Sequence, residues 1–202
     1  MRNLLEPLLM FGLIMTYIWK LRFIHPTLWL AIPALLFVSH LLHHESARAL
    51  GFELRGLPAL LKKFAPFLIL IAAVLLSTAA LFHTLRPIGF RGALFALAPY
   101  LPWGLAQQYV LNGYFLNRLD AALPRPAASL FAALLFSAAH APNPFLMAVT
   151  FPLALCATLI YRRTHNLYLL GIAHAIVGLL LFLVIPDSVS HHLRVGPGWF
   201  RP

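Results

Sequence analysis

The chain is poor in acid and poor in charge altogether. Only five of its 202 residues are Asp or Glu, and charged residues of both signs make up 10%. A water-soluble domain of this size could not hide a composition that is 61% hydrophobic with a mean hydropathy of +0.85, so a polytopic membrane protein is expected. Cys156 is the single cysteine, which excludes a disulfide within the chain and a zinc site built on a cysteine cluster. Internal repeats, low-complexity linkers and any stretch resembling a separate soluble domain are all missing. The net charge of +10 would suggest nucleic acid in a soluble protein. Here Lys and Arg stand in short clusters between apolar runs, as membrane anchors do, so the expected partner is the lipid bilayer and not nucleic acid.

What is present is apolar run after apolar run. A bilayer core takes about 20 mostly apolar residues per helix. Seven stretches approach that length: 4–19, 26–42, 65–83, 95–117, 126–140, 144–161 and 167–185. The expected fold is therefore all-α, one transmembrane helical bundle over residues 1–186, with an irregular tail over 187–202. The first run is followed by "KLR" and a second run, with no small-residue cleavage site, and reads as a retained helix rather than a signal peptide. "HAPNPF", residues 140–145, separates the fifth and sixth runs. Its two prolines around an asparagine predict a tight turn. Residues 45–64 mix charges with leucines and predict an amphipathic piece at the membrane surface. Nine Lys and Arg fall on the side of the N-terminus and six on the other, which favours a cytoplasmic N-terminus.

The informative residues in such a chain are the polar ones at depth, because lipid offers them no hydrogen bonds. "QQYVLN" places Gln107, Gln108 and Asn112 in the fourth run, His140 ends the fifth, and His174 lies inside the seventh. Gln108 and Asn112 are four apart and share a helix face, so they can bond along it. On residue type alone these groups read either as hydrogen-bond glue between helices or as a site. "SHLLHHES" offers a second cluster, in which His40 and His44 stand at metal-binding spacing beside Glu45, where wet histidines at a helix exit are equally expected. Ser137 precedes His140 by three residues, but no G-x-S-x-G elbow supports serine catalysis.

Three motifs in order, "QQYVLNG", "FSAAH" and "HAIVG", resemble the CAAX-protease and bacteriocin-processing (CPBP, or Abi) family of intramembrane endopeptidases, which includes the Ras-converting CAAX endopeptidases. Members carry Glu-Glu-x-x-x-Arg, then Phe-x-x-x-His, then His-x-x-x-Asn on successive helices. The resemblance covers residues 95–185 and maps these motifs onto Gln107, Gln108 and Asn112, onto Phe136 and His140, and onto His174 with Gly178 in the asparagine place. It implies a membrane-embedded peptidase fold in a bacterial cell membrane. It also implies a water-activating glutamate assisted by the histidines, and a divalent metal such as zinc at His140 and His174 in a metallo-type mechanism.

This chain departs at the decisive position, since an amide cannot take a proton from water and is a poor zinc ligand. The departure is paired: Glu and Arg, four apart, become Gln108 and Asn112, which keep a neutral bond where losing one partner would strand a charge at about 3–5 kcal/mol. Three functions remain open. One is an altered endopeptidase using His140, His174, Gln107, Gln108 and Asn112. The second is a pseudoprotease that binds membrane segments or partner proteins, and the third is a transport or cofactor protein ligated by the histidines.

Overall fold

The computed structural model describes residues 2–200; Met1, Arg201 and Pro202 lie outside it. Seven long helices carry the fold, with no strand among the described residues. They are α1 (Arg2–Thr16), α2 (Ala31–Leu42), α3 (Leu57–Leu81), α4 (Gly89–Gln108), α5 (Arg125–Ala138), α6 (Pro144–Thr164) and α7 (Leu167–Val184). Four helical spans are long and apolar enough to cross a membrane: Leu4–Ile24, which prolongs α1, and α3, α6 and α7. Their outward faces leave Phe67, Ile69, Leu70 and Val74 of α3 more than half exposed, which a bilayer accepts and water would not. The protein is an integral, multi-pass membrane helical bundle.

The helix α4 does not stop at Gln108. It widens into a π-helical stretch, Tyr109–Leu116, and runs on through Asn117–Asp120. π-Turns inside helices are frequent at functional sites. The buried core gathers round this stretch: Leu111, Tyr114, Leu116 and Leu119 are sealed against Ala128 and Ala132 of α5 and Leu167 of α7.

The helices α4 and α7 cross in backbone contact. A Cβ on Gly104 would lie 2.7 Å from the Gly171 carbonyl, and one on Gly171 would lie 2.8 Å from Leu105 Cα. Only glycine lets the two backbones meet this closely, the small-residue device of membrane helix pairs. The contact brings the C-terminal end of α4 beside the first half of α7.

Two asparagines start helices as their side chains predict. Asn143 Oδ1 accepts from Leu146 N at 3.0 Å to cap α6, and Asn166 Oδ1 accepts from Leu169 N at 2.8 Å to cap α7. The turn before α6 contains a cis Ala141–Pro142 bond, in the place where the two prolines predict a break. Asn143 Nδ2 also donates to the carbonyls of Ser190 and Arg194, tying the C-terminal segment to this turn. Gly196 N adds a bond to Ala141 O at 2.8 Å.

Residues 45–64 do not form one surface piece. Residues 43–56 are turns, and residues 57–64 are the beginning of α3. Gly56 at φ 78° breaks the chain, and Pro58 sits in the first turn, where its fixed φ favours a helix start. The turns dock on the α6–α7 junction, where Tyr161 Oη donates to Leu50 O and Asn166 Nδ2 to Glu53 O.

Candidate functional site

A chain of hydrogen bonds links α4 to α7. Asn112 Nδ2 donates to Gln108 Oε1 at 2.8 Å, and Gln108 Nε2 donates to His174 Nδ1 at 3.0 Å. Asn112 is fully buried and Gln108 nearly so. Both arms of the Gln108 amide are therefore taken. An amide N–H can only donate, so the bond makes Nδ1 of His174 the acceptor and leaves its proton on Nε2.

His140 shows the opposite tautomer. Its Nδ1 lies 2.7 Å from the Phe136 carbonyl, which can only accept. The proton is on Nδ1, and the lone pair of Nε2 makes no bond among the described residues. Phe136 touches both imidazoles, with ring centroids 5.0 Å from His140 and 6.1 Å from His174. The Phe-x-x-x-His spacing thus does two things: it fixes the His140 tautomer through the backbone and packs one ring against both histidines.

Gln107 stays out of this network. Its Oε1 is buried without a partner, as is Asn112 Oδ1. Adjacent helical residues point about 100° apart, so only one of the two glutamines can face α7. Gly178 lies against Tyr100, whose ring carbons would stand 3.2–3.3 Å from an added Cβ. The Ser137 hydroxyl is no partner for the His140 imidazole, because it donates to the Met147 carbonyl at 2.9 Å.

The donor set does not fit a zinc ion. Nδ1 of His174 is engaged by an amide N–H, the other neighbours are amides, and no group of three or more His, Cys, Asp or Glu side chains gathers among the described residues. His40 and His44 do not converge either, since His40 Nδ1 faces Glu45 and His44 is exposed with a left-handed backbone. One helical turn from Gln108 and His174, a groove of about 210 Å³ opens between α4 and α7, lined by Leu101, Leu105, Tyr168 and Ile172. Its walls are almost wholly apolar.

A second polar cluster escapes a reading of the sequence. Arg118, on the extension of α4, reaches Glu6 of α1 through Nε at 3.0 Å and Glu45 through Nη1 and Nη2 at 3.0 and 2.7 Å. Ser39 accepts from Arg118, and His40 Nδ1 lies 2.7 Å from Glu45. Burial pushes the Glu45 carboxyl up, but hydrogen bonds from Arg118 and His40 outweigh it and hold the group below the usual carboxylate range. One signal was available: an acid within the first apolar run, Glu6, demands a partner.

Fold and site together define a class: a helical membrane protein with a neutral amide–imidazole cluster between two helices that cross at glycines. Residues 87–180 match the family model of the type II CAAX prenyl endopeptidase Rce1-like proteins, so that segment is similar to the CAAX-protease family. The matched segment holds Gln107, Gln108, Asn112, His140 and His174, while Glu6 and residues 39–45 fall before it. No curated protein and no solved structure matches the chain.

Proposed function

We propose that this chain is a non-hydrolytic member of the CAAX-protease family that binds a membrane segment or partner protein without cutting it, in a bacterial cell membrane. The observation that carries the reading is the Asn112–Gln108–His174 chain. Every bond in it is neutral, and Gln107, in the place the resemblance gives to the water-activating glutamate, is an amide as well. Binding needs only the groove beside the chain and the polar groups at its end, whereas hydrolysis needs a base within reach of a water.

A second reading, endopeptidase activity, is favoured by one group. The bare Nε2 of His140, held in its tautomer by the Phe136 carbonyl, has the lone pair a general base requires. Its proton affinity would have to serve without the orienting carboxylate that such imidazoles normally have.

The test is capture in vesicles. A photo-crosslinking residue in place of Leu101, in the groove, is offered transmembrane peptides, and the product is read by mass spectrometry. The proposal expects cross-linked, intact peptide. Cut peptide, lost again in His140→Ala, decides for the endopeptidase. Neither capture nor cutting sinks both readings.

A further inference from the structure

The cluster around Arg118 has no part in the amide–imidazole site, and its composition is unbalanced. Glu6 and Glu45 bring two negative charges, and Arg118 brings one positive charge. Two half-buried carboxylates sharing a single guanidinium leave one negative charge over, beside an Arg118 and a His40 side chain that are each only 6% exposed. The groups that can neutralise it are His40 and His43, the first 2.7 Å from Glu45 and the second 2.9 Å from Glu6.

We propose that Glu6, His40, His43, Glu45 and Arg118 form a proton-binding site, and that the proton it takes up locks α1, α2 and residues 43–56 onto the helix that carries the amides. His40 is the receiving group. It is 5% exposed, and its Nε2 is buried with no hydrogen-bond partner. Glu45 accepts from Nδ1–H at 2.7 Å, so that nitrogen already holds a proton and Nε2 is where a second is added. The charge so formed lies against two rings, Tyr109 at 5.5 Å and Tyr114 at 6.0 Å. Aromatic faces favour a neighbouring cation.

The cluster also has an entrance. Side-chain exposure falls from 48% at His43 and 36% at Glu6 to 6% at His40, with Ser39 and Arg118 bonded between them. Every element packed here supplies a titratable or polar group: Glu6 from α1; Ser39 and His40 from α2; His43 and Glu45 from the turns; Tyr109, Tyr114 and Arg118 from the α4 extension; and Tyr161 of α6, within electrostatic reach of Glu45. Tyr109 directly follows Gln108, and π-helical spacing sets Tyr109 and Tyr114 one turn apart on the face toward His40. The proton state of the cluster therefore bears on the same helix that holds the amide chain.

Hydrogen exchange of the full chain in nanodiscs tests this. Between about pH 8.5 and about pH 6, the range in which an imidazole changes charge, exchange in residues 43–56 should slow after correction for its intrinsic rate. The slowing is limited to about tenfold per pH unit for one linked proton. Glu45→Gln removes the excess charge, so its exchange should be slow at both pH values. Exchange in the wild type that ignores pH, or an unaltered pH dependence in Glu45→Gln, overturns the proposal. Histidine-selective NMR of the wild type gives an independent reading: His40 should be cationic at the lower pH, and a neutral His40 at both overturns it equally.

Discussion

Gln108 Nε2 donates to His174 Nδ1 across 3.0 Å, and this bond decides which nitrogen of the imidazole is left for chemistry. A carboxylate in the same place would accept from Nδ1–H and leave Nε2 bare, the arrangement that makes an imidazole basic toward a ligand. The amide does the reverse. An amide at residue 108 therefore supplies no base itself and also keeps the proton on His174 Nε2.

Gln108→Glu should invert the His174 tautomer. Nitrogen chemical shifts of labelled histidine in nanodiscs measure this directly. The proton should reside on Nε2 in the wild type and on Nδ1 in the variant. An unchanged tautomer would mean that something other than residue 108 orients His174.

Gly171→Ala should destabilise the bundle by about 1–3 kcal/mol, the usual cost of overpacking where backbone cannot yield. The added Cβ meets Leu105 Cα at 2.8 Å, so α4 and α7 must separate and the Gln108–His174 bond must lengthen. Gly12→Ala is the control, since nothing lies within 4 Å of the Cβ it adds. Thermal unfolding in detergent should show a loss for the first and none for the second.

Asn143 has two tasks that substitution can separate. Asn143→Asp keeps the oxygen that caps α6 but loses the donor to Ser190 and Arg194, whereas Asn143→Ala loses both. Limited proteolysis should show the C-terminal segment released in both variants. Only the alanine variant should also lose about 1 kcal/mol of stability, the usual worth of an N-cap.

The C-terminal segment is held at its other end by Arg86, whose Nη1 donates to Asp187 Oδ2 at 2.8 Å. That bond holds the Asp187 carboxyl below its ordinary 3.8. A depressed carboxylate contributes its stabilisation above the unfolded value and loses it as pH falls through the folded one. Exchange in residues 187–200, corrected for its intrinsic rate, should therefore be constant down to about pH 4 and rise below it, and Asp187→Asn should remove the rise.

Much of the fold is legible because lipid forces apolar residues into continuous helices. Hydropathy alone places α1, α6 and α7 within a few residues of where they lie. The Gln108–Asn112 bond is legible for the same local reason, a spacing of four on one helix. What the sequence hides depends on approach across the chain. Arg118 meets Glu6 over 112 residues and Glu45 over 73, and although Glu6 in an apolar run calls for a partner, nothing nearby says which. The start of α3 is obscured by Lys62 and Lys63, which read as surface charge, although "RGLP" just before them holds both the glycine and the proline that begin the helix. "QQ" reads as one unit, whereas helical geometry gives Gln108 to α7 and leaves Gln107 apart.

The central claim is that the amides, and not the fold, keep the protein from cutting. Cleavage of transmembrane peptides in vesicles should be compared between the wild type and a variant carrying Gln107→Glu, Gln108→Glu and Asn112→Arg, with fragments identified by mass spectrometry. The account predicts intact peptide with the wild type and defined fragments with the triple variant. Wild-type cleavage that disappears in His140→Ala would contradict it.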